Sequence, residues 1–378
     1  LNCELETSGD GISLKSDYSL GRRLSSEDIN ISSCIISAGG TALQIGPETV
    51  EGFRNIQISN ITIKKADNVG ISFTSNHGAV IDGVNVQNIT MENVSIPFFI
   101  NLSKIKGGTP GSPVVGEIKN IRISNAVVKD VYGYGSGWKF TSTVMGKSGK
   151  MLENIVFENM RITHKGGSLN YLALEKDPAE IELPKIEDYR AEMYGLRPSY
   201  GLYCRYIKGL KIRNVSVDFE KEDPRPAVIL RDIEGIVMNR FYAERSTIRD
   251  YDIITDKVSD FMITGSPGVV QIEKKDFAPL DSFDVDASPN PTAEDVAAEL
   301  GIEKPPILLS DLPAEVIERI KKELGIPPAM LHVLVDKEIA KEEKGGKVIY
   351  NIEAENKKGD KYELGVRDDG SLVSKKKV

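Results

Sequence analysis

A chain of 378 residues has room for one large domain and a smaller one, and its 40% hydrophobic and 28% charged residues are the proportions of a globular protein. The net charge of −8 argues against a nucleic-acid partner, whose phosphates call for a basic face, and no run approaches the roughly 20 apolar residues of a membrane span. Three cysteines and three histidines, with no CxxC pair, give no zinc-site spacing, so neither a metal nor a cofactor is expected.

The chain opens on LNCELETSGD, which has neither the basic start nor the apolar core of a signal peptide. It reads as the inside of a domain, so the expectation is a chain that lacks the first coils of that domain. SGDGISLKSD, Ser8 to Asp17, is an acid–glycine turn leading into a short alternating strand.

From there a repeat runs through two thirds of the sequence. DINISSCIIS, NIQISNITIK, GVNVQNITME, NIRISNAVVK, NIVFENMRIT, GLKIRNVSVD and GIVMNRFYAE share one pattern, anchored on Ile29, Ile56, Val84, Ile121, Ile155, Leu210 and Ile236. The gaps between anchors are 27, 28, 37, 34, 55 and 26 residues, one solenoid coil with insertions in three of the turns. The anchor and the residue two further on are mostly apolar, as in a strand with one face on a core. Before each anchor stands Asp28, Asn55, Gly83, Asn120, Asn154, Gly209 or Gly235, all formers of tight bends. Four residues after it stand Asn60, Asn88, Asn125, Asn159 and Asn214, suited to left-handed backbone and to hydrogen bonds from coil to coil.

A second strand family lies between these: GISLKS, ALQIGP, GISFTS, PFFINL, GLYCRY and AVILRD. Seven units in one phase, rich in Ile and Val and without a helical stripe, predict an all-β fold, a right-handed single-stranded parallel β-helix, over residues 1–272. A β-sandwich would need hairpin turns instead. Cys3 and Cys34 each lie nine residues before an aligned core position, Ile12 and Leu43. They are expected on neighbouring coils about 4.8 Å apart, a spacing that fits a disulfide or a buried pair of reduced thiols in an internal ladder. Arg205, Arg225, Arg231 and Asp232 read as ion pairs that stabilise the later coils.

Residues 273–311 mix acids and prolines and read as a linker. Then LPAEVIERIKKELGI, Leu312 to Ile326, has an apolar stripe at Val316, Ile317, Ile320 and Leu324, with Pro313 at its start and Gly325 at its end. Two or three alternating strands follow, joined by KKGD and DDG turns. Residues 312–378 are therefore expected to be a small α+β module. It is similar to the PepSY-like domains of bacterial envelope proteins.

SGDGISLKS, then GGTALQIGPE one coil on and GISFT one coil further, resemble the motifs of glycoside hydrolase family 28, the polygalacturonase-like enzymes of pectin degradation. In that family G-D-D-C-I-x-I-K-S carries paired catalytic aspartates, G-H-G-I-S-I-G-S a histidine, and G-I-R-I-K an Arg and a Lys that hold a galacturonate carboxylate. Here Asp10 matches the second aspartate and Gly9 stands at the first; Thr41 stands at the histidine, and Ser72 and Thr74 at the Arg and Lys. GPETVEGFRNIQISN and PSYGLYCRYIKGLKIRNVSV resemble a bacterial branch in which that Arg and Lys are usually missing.

The resemblance implies inverting hydrolysis of a pectic polysaccharide or oligosaccharide by a monomer that is secreted or held in the periplasm or cell envelope. Asp10 and Glu48 are the candidate catalytic carboxylates; Lys15, Asp17, Thr41, Ser72 and His77 are the candidate sugar contacts. Glu51 and Asp67 are further acids nearby. Each has a plainer reading beside it. An Asp-Gly pair before a strand is a common turn element, Glu48 in Pro-Glu-Thr suits a solvated turn, and Lys15 can simply neutralise Asp17. Tyr134 and Trp138, in VYGYGSGWKF, suit stacking on a sugar ring from an inserted loop. A β-helix that has lost catalysis and binds carbohydrate is the alternative function. Pectate lyase, a third, would need a calcium-binding acid cluster that no coil displays.

Overall fold

A computed structural model of the chain describes residues 3–18, 21–105, 114–132, 141–166, 187–194, 199–247, 249–276, 312–324, 340–344, 347–355 and 361–377. They form two compact units, one up to residue 276 and one from residue 312. The 277–311 stretch, the KKGD turn, Gly325, Tyr134 and Trp138 lie outside the described residues. Among the described residues no helix is long and apolar enough to cross a membrane.

The first unit is built from strands paired in parallel. Its anchors stand in one line: Ile29 pairs with Ile56, then Val84, Ile121, Ile155, Leu210 and Ile236 in turn. The line runs one coil beyond the repeat legible in sequence, to Phe261. An aromatic anchor and Gly265 at the asparagine position hide that coil from a pattern search.

Backbone sterics explain the corner residues. Asp28, Asn55, Gly83, Asn120, Asn154, Gly209, Gly235 and Asp260, each just before an anchor, all have φ between 52° and 77°. In this left-handed region the Cβ of most residues costs about 1–2 kcal/mol, which Gly avoids and Asn and Asp offset by local hydrogen bonds. The second corner, Asn60 to Asn214, has φ between 50° and 59°. Its side chains form an amide ladder in which each Nδ2 donates to the Oδ1 of the preceding coil: Asn88 to Asn60 at 3.0 Å, Asn125 to Asn88 at 3.2 Å, Asn159 to Asn125 at 3.1 Å and Asn214 to Asn159 at 3.0 Å. Between the corners alternate side chains turn inward. Ile56, Ile58, Ile61 and Ile63 are all buried, each stabilising the stack by about 1.5–3 kcal/mol on leaving water.

The second strand family is in register too. Ile12, Leu43, Ile71 and Phe98 form one inward row, and Leu14, Ile45, Phe73 and Ile100 the next. The row continues through Ser142–Met145 to Leu202, Val228 and Ile253. Ser142–Met145 escaped sequence reading because its inward positions are Ser142 and Val144, a small polar residue and a single aliphatic one.

Cys3 pairs with Cys34, their Sγ atoms 3.2 Å apart. They are not a buried pair in an internal ladder as expected. Cys34 lies between Cys3 and Ile61 and is buried, whereas Cys3, in the strand Cys3–Thr7 with one neighbouring strand among the described residues, is exposed. Along the later coils Arg205 Nε meets Asp232 at 2.6 Å and Arg231 meets Asp256 at 3.0 Å, both arginines nearly buried. Arg225 forks onto Asp223 with Nε at 2.8 Å and Nη2 at 2.7 Å.

In the second unit the helix spans Ala314–Leu324, directly after Pro313. Val316 and Ile320 bury themselves against Tyr350, Ile352, Leu364 and Val366. The sheet has four antiparallel strands, Ala340–Lys344, Lys347–Glu355, Lys361–Arg367 and Leu372–Lys377. That is one strand more than expected, because AKEEK carries no apolar alternation. The DDG turn closes with Arg367 N–H donating to Ser371 O at 2.9 Å, Gly370 having φ 75°.

Candidate active site on the outer face of the first coils

The inward rows leave the intervening residues on the outer face. Ser13, Gln44 and Ser72 are in register there, so strands about 4.8 Å apart bring together residues distant in sequence. Asp10 sits just ahead of the strand Ile12–Ser16 and is exposed. Its Oδ1 accepts the Thr41 N–H at 3.0 Å, and its Oδ2 accepts Gln44 Nε2 and, at 3.5 Å, Ser13 Oγ. Gln44 Nε2 also donates to Ser13 Oγ at 3.1 Å. The carboxylate lies over Gly40, where a Cβ would come within 2.8 Å of Oδ1. A glycine there leaves space for the acid.

A second group lies towards the other end of the same strands. Lys15 Nζ is 3.9 Å from Glu48 Oε2, both about half exposed, and Asp17 is exposed. His77 is 6% exposed and accepts the Thr49 N–H on Nδ1 at 3.3 Å, so Nε2 carries its proton. Thr49 Oγ1 in turn accepts the Asn76 N–H at 2.7 Å. Thr41 and Ser72 are buried, at 5% and 4% exposure. Asp67 lies to the side, ion-paired with Lys65 at 3.0 Å and accepting from Tyr132 Oη at 3.2 Å.

Two small networks thus share one face: Asp10 with Ser13, Thr41 and Gln44, and Lys15 with Glu48 beside His77. Among the described residues no hydrogen bond or ion pair joins Asp10 to Glu48. Ser13, Gln44 and Thr49 were not singled out by sequence. Their signal was the coil register, which aligns Gln44 with Ser13 once Ile12 is set against Leu43.

Burial lowers the His77 pKa below its ordinary 6.5, outweighing Glu48, which acts in the opposite direction. The unfolded chain then takes up a proton at this residue before the folded one does, so folding stability falls as pH drops below about 6.5. Replacing His77 with Gln is expected to flatten that part of the stability–pH curve. Denaturant midpoints measured from pH 7 down to pH 5 test it, and equal slopes in both proteins would overturn it.

Further along the outward row stand Phe99, Thr143, Tyr203, Ile229 and Ile254. Here the face is covered by the short 3-10 turn Ala191–Tyr194, which closes an apolar cluster with Val69, Ile96, Met145 and Tyr251. Tyr194 packs edge-on to Phe99 with ring centroids 5.1 Å apart, donates to Asn101 Oδ1 and accepts from Lys147 Nζ at 3.3 Å. Asn101 Nδ2 donates to Asp188 O at 3.2 Å. Among the described residues, the exposed polar part of this outward row therefore lies in the first coils, with Asp10, Lys15 and Glu48.

No curated protein and no solved structure matches the chain. The family model described as glycosyl hydrolases family 28 matches residues 1–176, the stretch that holds every candidate site residue. On that match the N-terminal part of the chain, residues 1–176, is similar to glycosyl hydrolases family 28.

Proposed function

We propose that the first unit hydrolyses a glycosidic bond of a pectic polysaccharide or oligosaccharide with inversion at the anomeric carbon. The observation that carries this reading is Asp10: an exposed carboxylate, held by three donors from two coils, above a glycine that leaves it space. A carboxylate oriented before the substrate arrives is what activation of a water molecule requires. Asp10 takes that role, and Glu48 supplies the second carboxyl of the pair. Lys15, beside Glu48, is the cation a uronate would attract. Asp17, Thr41, Ser72 and His77 complete the sugar-binding face.

On the same reading residues 1–272 form a right-handed parallel β-helix, the hand that parallel crossovers take. Residues 273–311 are then a linker and residues 312–378 a PepSY-like module. The protein works as a monomer, secreted or in the periplasm or cell envelope, where pectic substrates are met, and has no nucleic-acid partner.

The test is release of new reducing ends from polygalacturonan, rhamnogalacturonan and pectic side-chain oligosaccharides, with NMR of the first anomer formed. Cleavage of one of them with an inverted product is the expected result; retention of configuration would overturn the mechanism. A second reading, a carbohydrate-binding β-helix without catalysis, is favoured by Gly9, Ser72 and Thr74 at the family's charged positions. Oligosaccharide binding without turnover on any substrate would establish it.

A further inference from the structure

We propose that Cys3 and Cys34 are a disulfide-forming pair that covalently joins the first two coils under oxidising conditions. They face each other in register on parallel strands, with flanking pairs Glu4–Ile35 and Leu5–Ile36. In-register Cα atoms on such strands are about 4.8 Å apart, inside the roughly 4.4–6.8 Å range that a disulfide spans. The two sulfur atoms already touch at 3.2 Å. Their separation in sequence is 31 residues, so the bond would close a loop that contains the whole Asp10 strand. The third cysteine, Cys204, is fully buried elsewhere in the stack and serves as an internal control.

The chemistry is thiol–disulfide exchange with a small-molecule disulfide. Cys3 is the exposed member, and its thiolate attacks one sulfur of the small disulfide, expelling the other half as a thiolate. Cys34, deprotonated as it reacts, then attacks the Cys3 sulfur, forming the Cys3–Cys34 bond and expelling the second small thiolate. The protons from Cys3 and Cys34 end on the two small thiols. The protein pair has lost two electrons and the small disulfide has gained them. Burial and the neighbouring Cys3 raise the Cys34 thiol pKa, which favours Cys3 as the first nucleophile. The pairing does not depend on the proposed hydrolysis.

The experiment equilibrates the full chain with oxidised glutathione in excess over reduced, then denatures it in an alkylating agent and maps the peptides without reduction. Expected are a Cys3–Cys34 linked peptide and alkylation at Cys204 alone, reversed by dithiothreitol. In the Cys34→Ser chain the resolving thiol is missing, so Cys3 is expected to accumulate as its glutathione adduct. Alkylation of all three cysteines in the wild type would overturn the proposal. So would a stable glutathione adduct on Cys3 with Cys34 alkylated, or a linkage involving Cys204.

Discussion

Replacing Asp10 with Asn is expected to lower hydrolysis of the pectic substrate by roughly 10²–10⁴-fold, the range a general base contributes, with little change in fold or in oligosaccharide binding. The substitution is nearly isosteric. The new side-chain amide would keep an oxygen for the Thr41 N–H, and the Gln44 amide can turn to offer its own oxygen to the new NH₂ group, so the network of Ser13, Thr41 and Gln44 can close again. What the change removes is the capacity to accept a proton from water. Initial rates from reducing-end release, beside oligosaccharide titrations of both proteins, separate the two effects. Wild-type rates in Asp10→Asn would assign the chemistry to another residue, whereas equal losses of binding and rate would mark Asp10 as a sugar contact.

The largest stability effect is expected at Asp223. It is fully buried, and Arg225, whose guanidinium it receives at 2.7 and 2.8 Å, is 2% exposed. Arg225 also reaches Thr141 Oγ1 at 3.5 Å, and that hydroxyl donates to Ser199 O, so the pair fastens turns that sequence places far apart. Asp223→Ala would leave a guanidinium in the interior without its carboxylate, a loss of about 3–5 kcal/mol. The double change Asp223→Ala, Arg225→Met removes the stranded charge and is expected to recover most of that loss. Urea unfolding of the three proteins measures it. A double variant no more stable than Asp223→Ala would show that the fork is valuable for its hydrogen bonds rather than for pairing a buried charge.

The coil corners were legible in sequence because left-handed backbone has a narrow choice of residues, and Asn, Asp and Gly recur there. Where that choice was broken the sequence was silent: Ser33 and Arg240 occupy the asparagine corner with φ 56° and 53° and leave no compositional trace. Asp10 could be read from its motif, since the acid and the strand that follows it are contiguous. Gln44 could not, because its contact with Asp10 crosses 34 residues and exists only once two coils are stacked. The same holds for the covered part of the outward face. Tyr194 meets Asn101 across 93 residues, and nothing local in either segment signals the meeting. Cys3 shows a further limit: register follows from counting residues, while exposure depends on what else lies against the strand.

The amide ladder joins residues 28, 37, 34 and 55 positions apart in sequence by bonds of 3.0–3.2 Å that scarcely vary. Spacing along the chain and spacing in the stack are thus decoupled: each corner resets the register regardless of how much chain has intervened. An inserted peptide between two corners should therefore leave the coils above and below it unaltered, and errors in length would not accumulate along the stack. Such a frame lends itself to diversification by loop grafting, with the connections acting as replaceable parts and the corners as fixed joints.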